Sequence, residues 1–353
     1  MNDKKIIKTK YREYKRIYIR IDIITKIQYN IKNYRKGDNK MLSILELKNR
    51  LPKDFIDELY TRFTPLTVDK ILVGMLGDRN TTLRVNKIKC SIHELMKYLK
   101  ENNIKFDRVL WYNDALVIKN VKEKQIKKLD IYDKGYLYLQ SLSSMIPPVI
   151  LDPKEGENVL DLTAAPGSKT TQMAGMMNNK GYILANELDA IRCERLKYNV
   201  EMQGAKIIEV INRRGESIGK EYKEYFDKVL LDAPCSGEGR FLGNNVQTYR
   251  NWSKKTVLQL SKLQKKLFKS AYDSLKKGGI MVYSTCTLNL QENEEVLDWA
   301  IKNLNIKLLD IDIEFKEKMQ GFTEDVDSSI KKTIRILPSK DKEGFFVAKL
   351  KKI

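Results

Sequence analysis

Four cysteines and one histidine occur among 353 residues, and two of the cysteines stand where chemistry is expected. Cys235 lies in Asp-Ala-Pro-Cys-Ser-Gly (232–237), just after the apolar run Val229-Leu230-Leu231. Cys286 lies in Ser-Thr-Cys-Thr-Leu (284–288), just after Ile280-Met281-Val282-Tyr283. Thiolates are strong nucleophiles whose reactivity follows their ionisation. A single free cysteine is commonly a core residue. Two at the ends of consecutive strand-like runs form a pattern that core packing does not require, because ligands gather at the carboxyl ends of strands in open α/β sheets. No cysteine belongs to a CxxC pair, and Cys90 and His93, though spaced as CxxH, have no second such pair to complete a ligand set, so no metal site is expected. The lone His93 sits in the helix-like SIHELMKYLK, which leaves no histidine for a Ser-His-Asp or Cys-His arrangement. Cys90 and Cys193 lie in ordinary surroundings and are expected to be core or surface residues.

Upstream, VLDLTAAPGSK (159–169) reads as a strand, a tight loop of small residues and a helix start. Small residues let backbone approach a bound ligand, and a helix N-terminus favours its carboxylate. The loop is neither a phosphate-binding Walker loop nor GxGxxG. The next strand-like run ends in Asn186-Glu187, and an acidic side chain there suits the two hydroxyls of a ribose. Loop and acidic strand end, in that order, favour S-adenosylmethionine as cofactor.

The elements around these residues follow from periodicity. Residues 43–60 read as a helix divided at Pro52, with a further helix at 67–76. TTLRVNKIK, a helix at 91–102, DRVLW and ALVIK then give a β-α-β-β order, which suggests a small ferredoxin- or RRM-like α+β module without the RRM aromatic signature. GYLYLQSLSSMIPP (135–148) reads as a link. From residue 158, apolar strands alternate with helices, the pattern of a buried, mainly parallel sheet. The helix at 254–277 carries a stripe of Leu260, Leu263, Leu267, Ala271 and Leu275, with Gly278-Gly279 as its expected left-handed end. GFFVAKL (344–350) reads as an edge strand. The fold class expected is α/β: a Rossmann-like domain fit for S-adenosylmethionine over 136–353, preceded by a helical plus α+β module over 41–135 whose basic surroundings suit RNA.

The net charge is +20, with 32% charged and 42% hydrophobic residues. That surplus favours a polyanionic partner, although charge alone is also explained by solubility. Residues 1–40 hold thirteen Lys or Arg and four Asp or Glu, contributing 13 − 4 = +9. They are either a basic arm on RNA or read-through upstream of a true start at Met41. The absence of an apolar run near 18 residues and of a signal peptide leads to an expectation of a cytoplasmic protein without a membrane span.

Over most of residues 45–350 the chain resembles RNA cytosine-5 methyltransferases of the Sun (Fmu, Nop) family. The resemblance rests on VLDLTAAPGSK, DAPCSGEG, STCTLNLQENEEV, TTLRVNKIK with Arg84 and Asn86, and the terminal GFFVAKL. It implies that Thr163, Ala164, Ala165, Pro166, Gly167, Ser168 and Lys169 line S-adenosylmethionine, that Glu187 holds the ribose, and that Asp232 lies beside the methionine end and the target base. It implies Cys286 as the nucleophile on carbon 6 of cytosine, Cys235 as the thiol aiding release, and Lys169 as a positioning cation. DNA enzymes of this chemistry use the Pro-Cys thiol instead, so the presence of both motifs points to RNA. Ribosomal RNA is the expected substrate and transfer RNA the second. The chain is expected to act as a monomer. One departure stands out: Arg213 occupies the position where an Asp near the adenine is expected, leaving Asn212 or Glu216 as substitutes. That departure motivates an alternative, a non-catalytic RNA-binding or ribosome-assembly protein on the same scaffold.

Overall fold

The computed structural model describes residues 42–316 and 318–353; the basic segment 1–40 lies outside the described residues. Among the described residues three helices come first, α1 (Ile44–Arg50), α2 (Lys53–Arg62) and α3 (Pro65–Met75). Pro52 occupies the N-cap of α2, which splits the run as its sequence indicates, and Ser43 forms a capping box with Glu46 at the start of α1.

Next come β1 (Thr82–Val85), α4 (Ile92–Glu101), β2 (Phe106–Arg108), β3 (Ala115–Ile118), the single turns α5 (Glu123–Ile126) and α6 (Asp130–Asp133), and β4 (Leu137–Leu139). The strands form an antiparallel sheet in the order β2-β3-β1-β4, which is the ferredoxin-like arrangement. β4 comes from the segment read as a link: three residues are too few for alternation to show. It pairs Leu83 with Leu139 and Val85 with Leu137, so the small sheet continues past residue 135. The same segment also hides α7 (Leu142–Leu151), a helix containing Pro147 and Pro148.

The larger sheet is assembled by β5 (Asn158–Asp161), α8 (Ser168–Met176), β6 (Tyr182–Asn186), α9 (Ala190–Gln203), β7 (Ile208–Ile211), α10 (Gly215–Glu221), β8 (Phe226–Asp232), α11 (Lys254–Ser274), β9 (Leu275–Thr285), α12 (Glu294–Asn303), β10 (Ile306–Leu309), β11 (Lys318–Gln320), β12 (Ile334–Ile336) and β13 (Phe345–Lys352). Its order is β11-β12-β13-β9-β8-β5-β6-β7, with β10 also on β13. The strands from β7 to β9 run parallel, and β10 to β13 pair antiparallel.

Side chains alternate across this sheet into two cores. Leu160, Leu184, Val229, Leu231, Met281 and Tyr283 pack with Ile218, Leu267, Phe268 and Val296 of the helices on one face. Val159, Ile183, Leu230 and Val282 pack with Ile146, Ile150 and Met173 on the other. Burial on both faces explains why these strands read as unbroken apolar runs.

Two expectations are corrected. α11 ends at Ser274, where the extended Leu275 donates its N–H to Ala271 O; Gly278, at φ +79°, lies inside β9, where the pairing with β8 shifts register. The glycine therefore serves a strand irregularity rather than a helix cap. GFFVAKL is not an edge: β13 lies between β9 on one side and β12 and β10 on the other. Phe345, Phe346, Val347 and Ala348 are all buried, so alternation gave no sign of an exposed side.

The N-terminal helices pack on the large sheet's loops, not on the small sheet. Phe55 meets Phe241 and Trp252 edge-on at centroid distances of 5.0 and 5.7 Å, in a cluster that includes Leu47, Leu72, Tyr249, Leu288 and Leu337. The segment 241–252 is anchored there through Phe241, Tyr249 and Trp252. Among the described residues no helix is long and apolar enough to cross a membrane.

Candidate active site

The loop after β5 is held by its own carbonyls. Arg192 donates to Ala165 O at 2.7 Å, Asn199 to Pro166 O at 2.8 Å and Thr171 Oγ1 to Gly167 O at 2.6 Å. Those contacts leave the first N–H groups of α8 facing outward, the usual anion-favouring end of a helix. Gly167 caps α8 at φ +100°, and a Cβ there would lie 2.8 Å from Leu196 Cδ1. The dihedral favours glycine, and Leu196 would have to shift to admit a Cβ.

Asp232 ends β8 in register with Ser284 of the parallel β9, so the chain leaves both strands at one level. Beyond them the thiols of Cys235 and Cys286 meet, with Sγ–Sγ at 3.2 Å. Asp232 is fixed from three sides. Lys169 pairs with Oδ2 at 2.7 Å, Ser284 Oγ donates to Oδ1 at 2.7 Å, and Thr163 Oγ1 donates to its carbonyl at 2.8 Å. Lys169 also donates to Ser144 Oγ at 2.8 Å and stands over the Phe345 ring at 5.7 Å.

One cavity of about 1300 Å³ joins these groups. Ligand cavities commonly span about 300–1,000 Å³, so it has room for a cofactor and a nucleotide side by side. Of the residues expected from sequence, Thr163, Ala164, Ala165, Pro166, Ser168, Lys169, Glu187, Asp232, Cys235 and Cys286 line it, whereas Gly167 stands behind as the cap. Ser144, Arg240, Glu343 and Phe345 also line it and were not among the expected catalytic or cofactor residues. They come from α7, the loop after Gly239 and the start of β13, which are brought in only by tertiary contacts. The Gly239 N–H donates to Cys286 O at 3.0 Å, and that of Gly344 to Gly239 O at 2.9 Å, tying three distant segments together.

The electrostatics separate the roles. Its hydrogen bond with Cys286, and then burial, push the Cys235 thiol well above the ordinary range, so this sulfur keeps its proton. Burial opposes the charge of Lys169, but the Asp232 carboxylate outweighs it and raises the ammonium above its usual range. Burial pushes Asp161 up to about 7 although Thr170 Oγ1 donates to it at 2.7 Å. The charge of Cys286 raises Arg240, whose guanidinium is turned toward the thiols.

The cavity's chemistry fits S-adenosylmethionine. A helix N-terminus and small residues adjoin the Glu187 carboxylate, which accepts from Asp189 N at 2.9 Å and pairs with Arg192 at 3.4 Å. Beyond it, Leu188, Leu263 and Leu267 form apolar lining suited to an aromatic base. The Arg213 departure does not reach this lining. Arg213 is exposed and paired with Glu221, and Asn212 donates to the carbonyls of Glu187 and Leu188. Glu216 does line the cavity, held by Arg214 at 3.0 Å.

Known proteins agree with this geometry. Residues 148–351 match the family model of the 16S rRNA methyltransferase RsmB/F. The tRNA (cytosine(49)-C(5))-methyltransferase of Pyrococcus abyssi is 39% identical over 77% of this chain and 88% of its own length. The ribosomal RNA small subunit methyltransferase F of Shewanella oneidensis is 36% identical over 81% of this chain; the chain spans 60% of that protein. Among solved structures, a methyltransferase homologue from Pyrococcus horikoshii is 32% identical with a TM-score of 0.72, covering 86% of this chain and 100% of its own. The NSun6 of the same organism, solved with SFG, shares the fold at 23% identity and a TM-score of 0.75, covering 86% of this chain and 99% of its own. Sequence, fold and cavity thus converge, and the chain belongs to the RsmB/F (Sun/NOP2) family of S-adenosylmethionine-dependent RNA cytosine-5 methyltransferases.

Proposed function

We propose that this protein methylates carbon 5 of a cytosine in ribosomal RNA through a covalent bond from Cys286 to carbon 6. The observation that carries the reading is the pair of thiols 3.2 Å apart, in one cavity with Asp232 and the loop 163–169. Carbon 5 of cytosine is a weak nucleophile. Formation of the S–C6 bond moves electron density to carbon 5, which becomes enamine-like. Asp232, oriented by Lys169 and Ser284, anchors the ring while the bond forms. When bound, S-adenosylmethionine supplies an electrophilic methyl group. A base then removes the carbon 5 proton, the S–C6 pair returns to sulfur and the aromatic ring is restored. Cys235 retains its proton beside the departing sulfur and assists that release. The base must be single-stranded or extruded to enter the cavity.

For the cofactor, the proposed contacts are Thr163, Ala164, Ala165, Pro166, Ser168 and Lys169 along the loop, with Gly167 as the cap, and Glu187 at the ribose. Asp232 would lie near the transferred group. The small antiparallel sheet, which includes β4, is proposed as an RNA-binding module beside the domain built on the large sheet. Its attachment supports this: Tyr138, Leu139 and Gln140 of that side line the cavity rim.

A transfer-RNA substrate is the second reading, favoured by the 88% of the Pyrococcus abyssi tRNA enzyme that the chain covers. The test is transfer of labelled methyl from S-adenosylmethionine to unmodified ribosomal and transfer RNA, followed by nucleoside analysis. The expected result is 5-methylcytosine in ribosomal RNA, lost in Cys286→Ala, with a protein–RNA adduct accumulating in Cys235→Ala. Methylation of transfer RNA alone would move the assignment to the second reading. RNA binding without methylation of either would favour the non-catalytic scaffold.

A further inference from the structure

Behind the two cysteines lies a carboxylate that no step above uses. Glu292 is fully buried and does not line the cavity. The Ser236 N–H donates to its Oε1 at 2.9 Å and the Ser236 hydroxyl donates to its Oε2. Gln264 Nε2 donates both to Glu292 Oε1 at 3.0 Å and to Pro234 O at 2.9 Å. The residues on either side of Cys235 are thus tied to one anchor. Flipping the Gln264 amide would set its oxygen against two acceptors, so its orientation is dictated by the pair it bridges.

The anchor also reaches the other cysteine. Ser236 Oγ lies 2.8 Å from Thr287 Oγ1, next to Cys286. A hydroxyl has one proton, and that of Ser236 goes to Glu292; Thr287 therefore donates to Ser236. The bonds run from Thr287 to Ser236 to Glu292 and end on a carboxylate that, when ionised, only accepts. Tyr283 holds the Glu292 backbone, donating to its carbonyl at 2.5 Å. The neighbouring Asn293 accepts from Thr285 at 2.6 Å and donates to Thr287 O at 3.1 Å. A single turn before α12 therefore grips both cysteine loops from behind.

We propose that Glu292 is a positioning residue that sets the separation of the two thiols through Ser236 and Thr287. The proposal concerns the geometry of the thiols; only its kinetic consequence rests on the reaction proposed above. The test uses phenylarsine oxide, which bridges two adjacent thiols with formation of two As–S bonds and release of one water. Wild-type protein is expected to bind one equivalent at this pair, and Cys286→Ala supplies the background. Glu292→Gln puts an amide donor where three donors converge, and Ser236→Ala removes the middle link. Both are expected to weaken arsenical binding about tenfold or more, with S-adenosylmethionine affinity by calorimetry unchanged in Glu292→Gln. In methyl transfer, Glu292→Gln is expected to lower kcat and leave KM for RNA unchanged. Wild-type arsenical affinity in folded Glu292→Gln would overturn the proposal; should that variant not fold, the same result in Ser236→Ala would do so. Failure of wild type to bind the arsenical would overturn it as well. Strong binding by a wild-type protein that forms no 5-methylcytosine would instead sink the proposed reaction and leave the positioning role standing.

Discussion

Cys235 and Cys286 are one residue type in contact, and their surroundings bear on both. The hydrogen bond to Cys286 and burial push the Cys235 thiol well above its ordinary range, and the Arg240 guanidinium lies near both sulfurs. Buried carboxyls show the same dependence on context. Burial holds Asp161 and Glu292 each at about 7, far above an unfolded carboxyl near 4. Between those values the folded protein binds more protons than the unfolded chain, so stability falls as pH rises from about 4 to about 7 and is level beyond. Glu292→Gln is expected to remove part of that slope. Its stability relative to wild type improves by up to about 3 kcal/mol from about pH 5 to about pH 8, measured as urea midpoints at the two values. An unchanged difference would refute the titration. Arg335 and Glu294 form a fully buried pair, with Arg335 Nε donating to Oε1 at 2.6 Å and Nη1 to Leu288 O at 2.9 Å. Arg335→Met leaves that carboxylate unpaired and is expected to cost about 3–5 kcal/mol in denaturant unfolding; a loss under about 1 kcal/mol would contradict it.

Secondary elements act here as spacers whose register brings loops together. Parallel pairing of β8 with β9 sets Asp232 level with Ser284, and both cysteine loops start from that line. Gly239 then lets the loop after Cys235 touch the chain entering β13. A Cβ on Gly239 would lie 1.9 Å from Gly344 O, a backbone atom that cannot swing aside. Gly239→Ala is therefore expected to displace Arg240 and the cysteine loop and to lower methyl transfer at least tenfold, while the protein retains its far-ultraviolet circular dichroism. Activity near wild type would show that this close approach is not needed. Arg84 of β1 connects the small sheet to α8. It donates to Gln140 Oε1 at 2.8 Å, Ser168 O at 3.1 Å and Thr171 Oγ1 at 2.7 Å. Asn86 donates to Gly135 O and Gln203 O, both at 2.8 Å. The N-terminal motif thus fastens the small sheet to α8, which follows the loop 163–167, and to the end of α9.

At the scale of the whole molecule, a net charge of +20 sets how the protein meets RNA. Each Lys or Arg on a phosphate releases counterions, so the logarithm of the binding constant should fall linearly with the logarithm of salt. Removing residues 1–40 takes away +9 of that charge. The shortened chain is expected to show a shallower salt slope and weaker RNA binding while methylating at the same saturated rate. An unchanged slope, measured by fluorescence anisotropy between about 50 and about 200 mM salt, would show that this segment does not touch phosphate.

The residues that meet in the cavity were legible in the sequence because their signals are local. The loop 163–169, Glu187, Asp232 and the two cysteines each sit at the end of a strand, and an apolar run followed by small or polar residues marks such an end without any knowledge of neighbours. The alternation of strands and helices likewise announced a buried, mainly parallel sheet, and β-α-β-β the small antiparallel one. What the sequence did not carry is whatever depends on pairing between distant segments. β4 is too short to show a period, β13 has no exposed side to betray its place, and Gly278 bends a strand rather than ending a helix. Ser144, Arg240 and Phe345 enter the cavity from three separate regions, and Glu292 reaches both cysteine loops through Ser236 only because its turn packs behind two strands at once. Residue types and order determine which groups are available; hydrogen bonds between segments far apart in the chain determine which of them meet.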